Sequence, residues 1–230
     1  DVLNPSAVQA SPEVTITSPV SFWFSGDELL GKPGGGGLTE YGIAGFRDPM
    51  HVSVPEFTTA TIAQSTPVSG LINKISLTVR VSVELSGFDS SVITLTNLAG
   101  AGMGADVALE ALPGGNGGEG LFCGESGEAR QGRWNSSTSE LTLTLCTSTT
   151  MLVGVPYGIA FLVTNPAQDQ DSPSVSIEAS WRVRFYESSS GEVMNIWAAA
   201  MERSDLSLLG IDGGASPLKV VVPRLTTKKI

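Results

Sequence analysis

Few residues in this 230-residue chain could do chemistry, and they are scattered. His51 is the single histidine. One imidazole with no cysteine or serine partner in a recognisable arrangement builds neither a Ser-His-Asp nor a Cys-His relay. A zinc site made of several histidines is excluded by the count, and His51 reads as a surface residue. The carboxylates Glu56, Glu84, Glu110 and Glu140 could supply an acid/base pair for glycoside hydrolysis, but nothing in their spacing selects two of them. Asp169 and Asp171, with Asn165 nearby, invite a calcium test. Calcium takes six to eight oxygens and no DxDxDG run supplies them, so these residues read as a solvated loop. Gly115-Asn116-Gly117-Gly118-Glu119-Gly120 spells G-x-G-x-x-G, yet no helix follows, so it reads as a loop rather than a phosphate cradle. Ala99 to Gly104 reads as a turn and Gly34 to Gly37 as a loop tip. The expectation is a protein that is not an enzyme and uses no cofactor and no metal.

Three further features carry non-catalytic chemistry. Cys123 and Cys146 are the only cysteines. They are expected to pair in one disulfide, the alternative being two buried thiols. Asn135-Ser136-Ser137 is the only N-x-S/T sequon free of proline, and Asn135 is expected to sit in an exposed turn where a glycan could attach. Trp23, Trp134, Trp181 and Trp197, with Tyr41, Tyr157 and Tyr186, could line a sugar platform. Trp181 falls in phase with a core face, while Trp134, beside the sequon, is the best exposed candidate.

Thirteen basic against 23 acidic residues give a net charge of −10, which disfavours nucleic acid and anionic membranes as partners. No apolar run is long enough to span a bilayer. A hydrophobic fraction of 41% supports a real core, and the charged fraction of 16% leaves Ser, Thr and Gly to make the surface polar. That balance fits an extracellular or cell-surface β-protein.

The elements that position these residues show a repeat. DPMHVSVPEFTTATI at 48–62 returns as SPLKVVVPRLTTKKI at 216–230, with an offset of 168. Val52, Val54 and Pro55 become Val220, Val222 and Pro223, and His51 becomes Lys219. DVLNPSAVQASP at 1–12 returns as LVTNPAQDQDSP at 162–173, with an offset of 161. The offset grows by seven across one variable loop, as a surface connection allows. Residues 1–62 therefore read as the C-terminal part of a preceding repeat and 63–230 as one full period. Within that period 63–161 is represented once and 162–230 is the second copy. If the period continues, Ile230 is followed by residues resembling AQSTPVSGLINKISLTV.

Apolar residues alternate with period two almost throughout, which is the pattern of half-buried strands. The longest run is 72–86; others are 14–24, 50–54, 57–63, 92–97, 106–111, 129–134, 141–145, 158–164, 175–185, 195–201 and 218–222. Only Asp27 to Leu30 and Trp197 to Glu202 could form helical turns. The fold expected is all-β, an antiparallel sandwich of the Ig-like, Greek-key kind. Pro55 and Pro223 interrupt strand-like runs and mark edge positions or strand breaks.

Several of these segments resemble a known repeat. They are Asn165-Pro166, Ser172-Pro173, Val175 to Ser180, Pro217, Val220 to Pro223, and Ile62-Ala63-Gln64-Ser65-Thr66-Pro67. Together they are similar to a tandem β-sandwich repeat of very large extracellular or surface proteins of unicellular algae and other aquatic protists. The resemblance implies a surface or fibre-forming glycoprotein with no catalytic residues to carry over. The function expected is a structural repeat of an extracellular filament or cell-surface coat, joined head to tail through the strands at Val52, Val54, Pro55, Val220, Val222 and Pro223. Its partners would be other copies of itself, with glycans as a second class. The alternative is an adhesin or lectin-like module whose loops 25–41 and 113–133 hold the ligand.

Overall fold

A computed structural model describes residues 7–10, 52–113, 116–183 and 192–224. Alternation becomes strand wherever apolar side chains can share one dry face. Strands β1 (Phe57–Gln64), β2 (Ile72–Val81), β3 (Leu85–Ser86), β4 (Val92–Thr96), β5 (Asp106–Ala111), β6 (Phe122–Cys123) and β7 (Gln131–Asn135) come first. They are followed by β8 (Glu140–Leu145), β9 (Thr150–Met151), β10 (Tyr157–Thr164), β11 (Ser176–Val183), β12 (Glu192–Ala200) and β13 (Glu202–Arg203). Among the described residues there is no α-helix, only 3-10 turns at Gly87–Asp89 and Gly118–Leu121.

The expected all-β sandwich is present. One layer runs β13-β1-β2-β10-β5 and the other β12-β11-β4-β8-β7-β5, with β6 against β8. Every pairing is antiparallel except that of β1 with β13. The order is not sequential, because β4 lies between β8 and β11, as in Greek-key connections. Two strands turn the corners between layers. Residues 106–108 of β5 pair with β7 and 109–111 with β10. At the other edge β12 pairs with β11, the chain passes the buried Met201, and β13 pairs with β1. The layers thus belong to one flattened barrel, and the core between them is filled by Ile75, Leu77, Ile93, Leu143, Phe122 and Phe161.

The long run 72–86 is not one strand. The β2 ladder stops at Val81, although burial alternates on through Leu85, because the chain bends at 82–84 to start β3. Trp197 to Glu202 is not a helical turn. Its alanines favour helix, but pairing of β12 with β11 overrides that preference. The described residues of the runs 50–54 and 218–222 make single bridges rather than strands, at Val52, Val220 and Val221. The expected strand 14–24 and the turn at Asp27 to Leu30 lie outside the described residues.

The sandwich has two distinct ends. Strand β1 starts at Phe57, opposite Val81, and finishes at Gln64, opposite Ile75. We call these the leading and trailing ends; at about 3.3 Å per residue, β1 separates them by about 25 Å. Strand β1 crosses the 62/63 boundary of the sequence repeat, and Ile62 is buried in the same core as β2. Strand β1 is the first strand among the described residues, and the 168 residues of one repeat period counted from Phe57 end at Arg224.

Candidate functional site: the two copies of the junction

The repeated segment is a structural device as well as a sequence match. Gln9 and Val52 form an antiparallel bridge in which each backbone N–H donates to the other's carbonyl, at 2.9 and 2.8 Å. Gln170 and Val220 do the same, at 2.9 and 2.8 Å. These pairs are equivalent at the offsets of 161 and 168. Gln9 and Gln170 belong to the repeat, and sequence reasoning missed them, although both stand three residues before the Pro of Ser-Pro and match at the offset of 161.

The second copy is anchored in the sandwich. Val221 bridges Val68 in parallel, donating to Pro67 O at 2.7 Å and accepting from Ser69 N at 3.1 Å. The Gln170 side chain donates to Ala99 O and Leu218 O, both at 2.9 Å. Beneath it lies a buried amide network. Asn73 Nδ2 donates to Gln64 Oε1 at 2.8 Å and to Asn165 Oδ1 at 2.9 Å. Gln64 Nε2 donates to Gly214 O and Lys219 O, and Asn165 Nδ2 to Thr66 O and Val68 O. Asn73 Oδ1 accepts from the N–H groups of Ser65 and Thr66. Buried amides cost free energy unless paired, so this network has one good arrangement and fixes where the chain leaves the trailing end. Asn165, in the Asn-Pro of the repeat, is thus a buried tie.

Beyond Val220 the two copies differ. Asp169 accepts from Val222 N–H and pairs with Arg224 at 2.7 Å. The corresponding residues of the first copy are Val8 and Glu56, so that clamp has no counterpart there. Instead Glu56 reaches forward: its N–H donates to Ser82 Oγ at 2.8 Å and its carbonyl accepts from Ser82 N at 3.0 Å. Pro55 lies between the Val52 bridge and the start of β1, and Pro223 lies just past the Val221 bridge. Both are at a strand break. Val54 is partly exposed beside Pro55.

The remaining candidates are placed as follows. Cys123 and Cys146 are joined in a disulfide with Cα atoms 5.0 Å apart. Asn135 ends β7 in an exposed turn, its Oδ1 accepting from Ser137 N and Oγ. Trp134 is not an exposed platform. It is 7% exposed, because β7 alternation turns Gly132 and Trp134 inward against β8. Trp181 is core, at 5%. The exposed tryptophan among the described residues is Trp197, at 79%.

Part of loop 113–133 folds onto the body. Phe122 is core, and Glu119 is buried with Arg130 3.8 Å away. Loop 25–41, His51, Trp23, Tyr41 and Tyr186 lie outside the described residues. Glu110 is paired with Lys74 at 2.6 Å, and Glu140 accepts from Thr138. Among the described residues no three His, Cys, Asp or Glu side chains converge as metal ligands.

No family model matches the chain, and no curated protein matches it. Solved structures with some likeness include a C-terminal fragment of the major pilin GBS80 of Streptococcus agalactiae, at 10% identity and a TM-score of 0.36. The match covers 66% of this chain and 56% of the pilin fragment. Another is the collagen-binding domain of a Staphylococcus aureus adhesin, at 8% identity and a TM-score of 0.29, covering 64% of this chain and 98% of that domain.

Proposed function

We propose that residues 57–224 are one module of a tandem extracellular array with a structural, non-enzymatic role in a filament or surface coat. The observation that carries this reading is the repeated bridge, Gln9 with Val52 and Gln170 with Val220. A segment that closes one module at Val220 recurs, with the same backbone hydrogen bonds, just ahead of the next module's first strand.

The second support is direction. The chain enters at Phe57 on the leading end and leaves past Val220 on the trailing end. Consecutive modules would then lie in line rather than fold back on each other. Only residues 53–56 separate the Val52 bridge from β1, and Pro55 restricts two of their backbone angles. A link that short and stiff favours a rod, and unclosed head-to-tail repetition gives a fibre. The disulfide and the hydroxyl-rich, weakly charged surface fit an oxidising location outside the cell. The kinship proposed is with the tandem sandwich repeats of algal and protist surface proteins, and Asn135 is the proposed glycan site.

Small-angle scattering on a chain carrying residues 57–224 twice in tandem tests the reading. The maximum dimension should grow by at least about 25 Å over the single module, one β1 length. A doubled chain that stays as compact as a side-by-side pair would overturn it.

A further inference from the structure

We propose that the outer face around Trp197 is a binding platform for the pyranose rings of a neutral glycan. Trp134 and Trp181 are buried, whereas Trp197 stands 79% exposed on β12. Ile196 points into the core, so Trp197, next along the strand, points outward, and an irregularity lies beside it. Ile177 pairs with Ala199 and Ala179 with Ile196, so Trp197 and Ala198 together oppose the single residue Glu178. That is a β-bulge, which re-aims a side chain on the bulged strand and is common beside functional sites.

Next to the indole lies a grid of hydrogen-bonding side chains on three neighbouring strands. Glu178 and Ser180 of β11 are flanked by Thr94 of β4 and Asn195 of β12; Thr94 is opposite Glu178, and Asn195 is opposite Ser180. These residues and Trp197 line one cleft of about 140 Å³ with Ala179 and Ile196. None of the four polar side chains makes a hydrogen bond or ion pair with another described residue. A flat aromatic face beside solvent-facing hydroxyl, amide and carboxylate groups is the complement of a sugar ring. The C–H face of the ring stacks on the indole, while its hydroxyls donate to Glu178 and exchange hydrogen bonds with Asn195, Ser180 and Thr94. With strands about 4.8 Å apart the site is about 10 Å wide, a few ring widths at most. The carboxylate of Glu178 and the chain's net charge of −10 select against acidic sugars. Val193 and Met194 add exposed apolar surface farther along β12, so the rival occupant is a second copy of this chain. The polar grid around the ring favours the sugar.

The platform is independent of the array reading and is tested on the whole 230-residue chain. Cellohexaose, mannohexaose and chitohexaose are titrated in turn while tryptophan emission and heat of binding are followed. At least one should give saturable binding with a blue shift. Trp197→Ala should weaken it at least about tenfold and Glu178→Gln by about threefold, with an unchanged thermal melt. Failure of all three sugars to bind at millimolar concentration overturns the proposal, as does unaltered binding by Trp197→Ala. Self-association of the wild type that Trp197→Ala abolishes, without sugar binding, overturns it in favour of a protein contact.

Discussion

The two ends of the sandwich are held by different chemistry. At the leading end a covalent staple does the work. The Cys123–Cys146 disulfide ties the 116–123 loop to the end of β8, and Cys146 N–H donates to Leu121 O at 2.8 Å. The backbone there is crowded: a Cβ on Gly87 would lie 1.8 Å from Cys146 O, so only glycine fits. At the trailing end there is no covalent link. Gln64, Asn73, Asn165 and Gln170 hold the departing chain through neutral amides, and the exposed Asp169–Arg224 pair adds a clamp outside them. The trailing end is the part that recurs in the sequence. Its repeated elements, Asn-Pro, Gln, Ser-Pro and Val-x-Val-Pro, are those that hold the chain where it leaves the sandwich. Stapling stabilises the sandwich by itself, whereas the amide network also fixes where the chain leaves it, and in the proposed array it would set the direction in which the next module starts.

Breaking each end in turn tests that contrast, from the largest effect down. Asn73→Ala removes the hub of the network and leaves Gln64 Oε1 and Asn165 Oδ1 without their buried donor. It should cost about 3–5 kcal/mol in urea unfolding, with faster hydrogen exchange concentrated in 64–73 and 214–221. The Cys123→Ala/Cys146→Ala double variant opens a loop spanning a sequence separation of 23 and should cost about 3 kcal/mol, with faster exchange at the opposite end. Similar exchange patterns in the two variants would erase the distinction between the ends. Gln170→Ala should cost about 1–2 kcal/mol for the two side-chain bonds it loses. Gln9→Ala, at the equivalent place in the first copy, should leave the stability of 57–224 unchanged; equal losses would show that the first copy belongs to this sandwich. Arg224→Ala should cost less than about 1 kcal/mol, because its ion pair with Asp169 is exposed.

Much of the leading-to-trailing layout is legible in the sequence, and for a physical reason. Strand β5 at 106–111 can be read directly because one face of each strand is dry, so burial writes itself as alternation. The repeat likewise marks the junction. The rest depends on tertiary partners that alternation does not name. Trp134 and Asn135 are adjacent in sequence yet face opposite sides of β7, and only the phase of that strand puts the ring in the core. Trp197 is exposed because its neighbour Ile196 faces the core, and the bulge beside it comes from the register against Ile177 and Ala179, which an Ala-rich run cannot announce. Asn73 and Gln64 stand in phase with the inward Ile75 and Ile62, but the partners that satisfy their amides come from three segments that meet only at the trailing end. The loop length that separates the two copies was readable, but the swap of Asp169 and Arg224 for Val8 and Glu56 gains meaning only once their contacts are seen.

In the array proposed above, one module would carry load from its leading to its trailing end. Tension applied at these ends runs along β1 and shears its ladder with β2 rather than unzipping it. Pulling the 230-residue chain from its two termini in a force spectrometer tests this directly. One cooperative unfolding event is expected for residues 57–224, with a gain in released length of about 80 Å when the disulfide is reduced, from the loop it closes. Unfolding in several small low-force steps, or no change in released length on reduction, would contradict it.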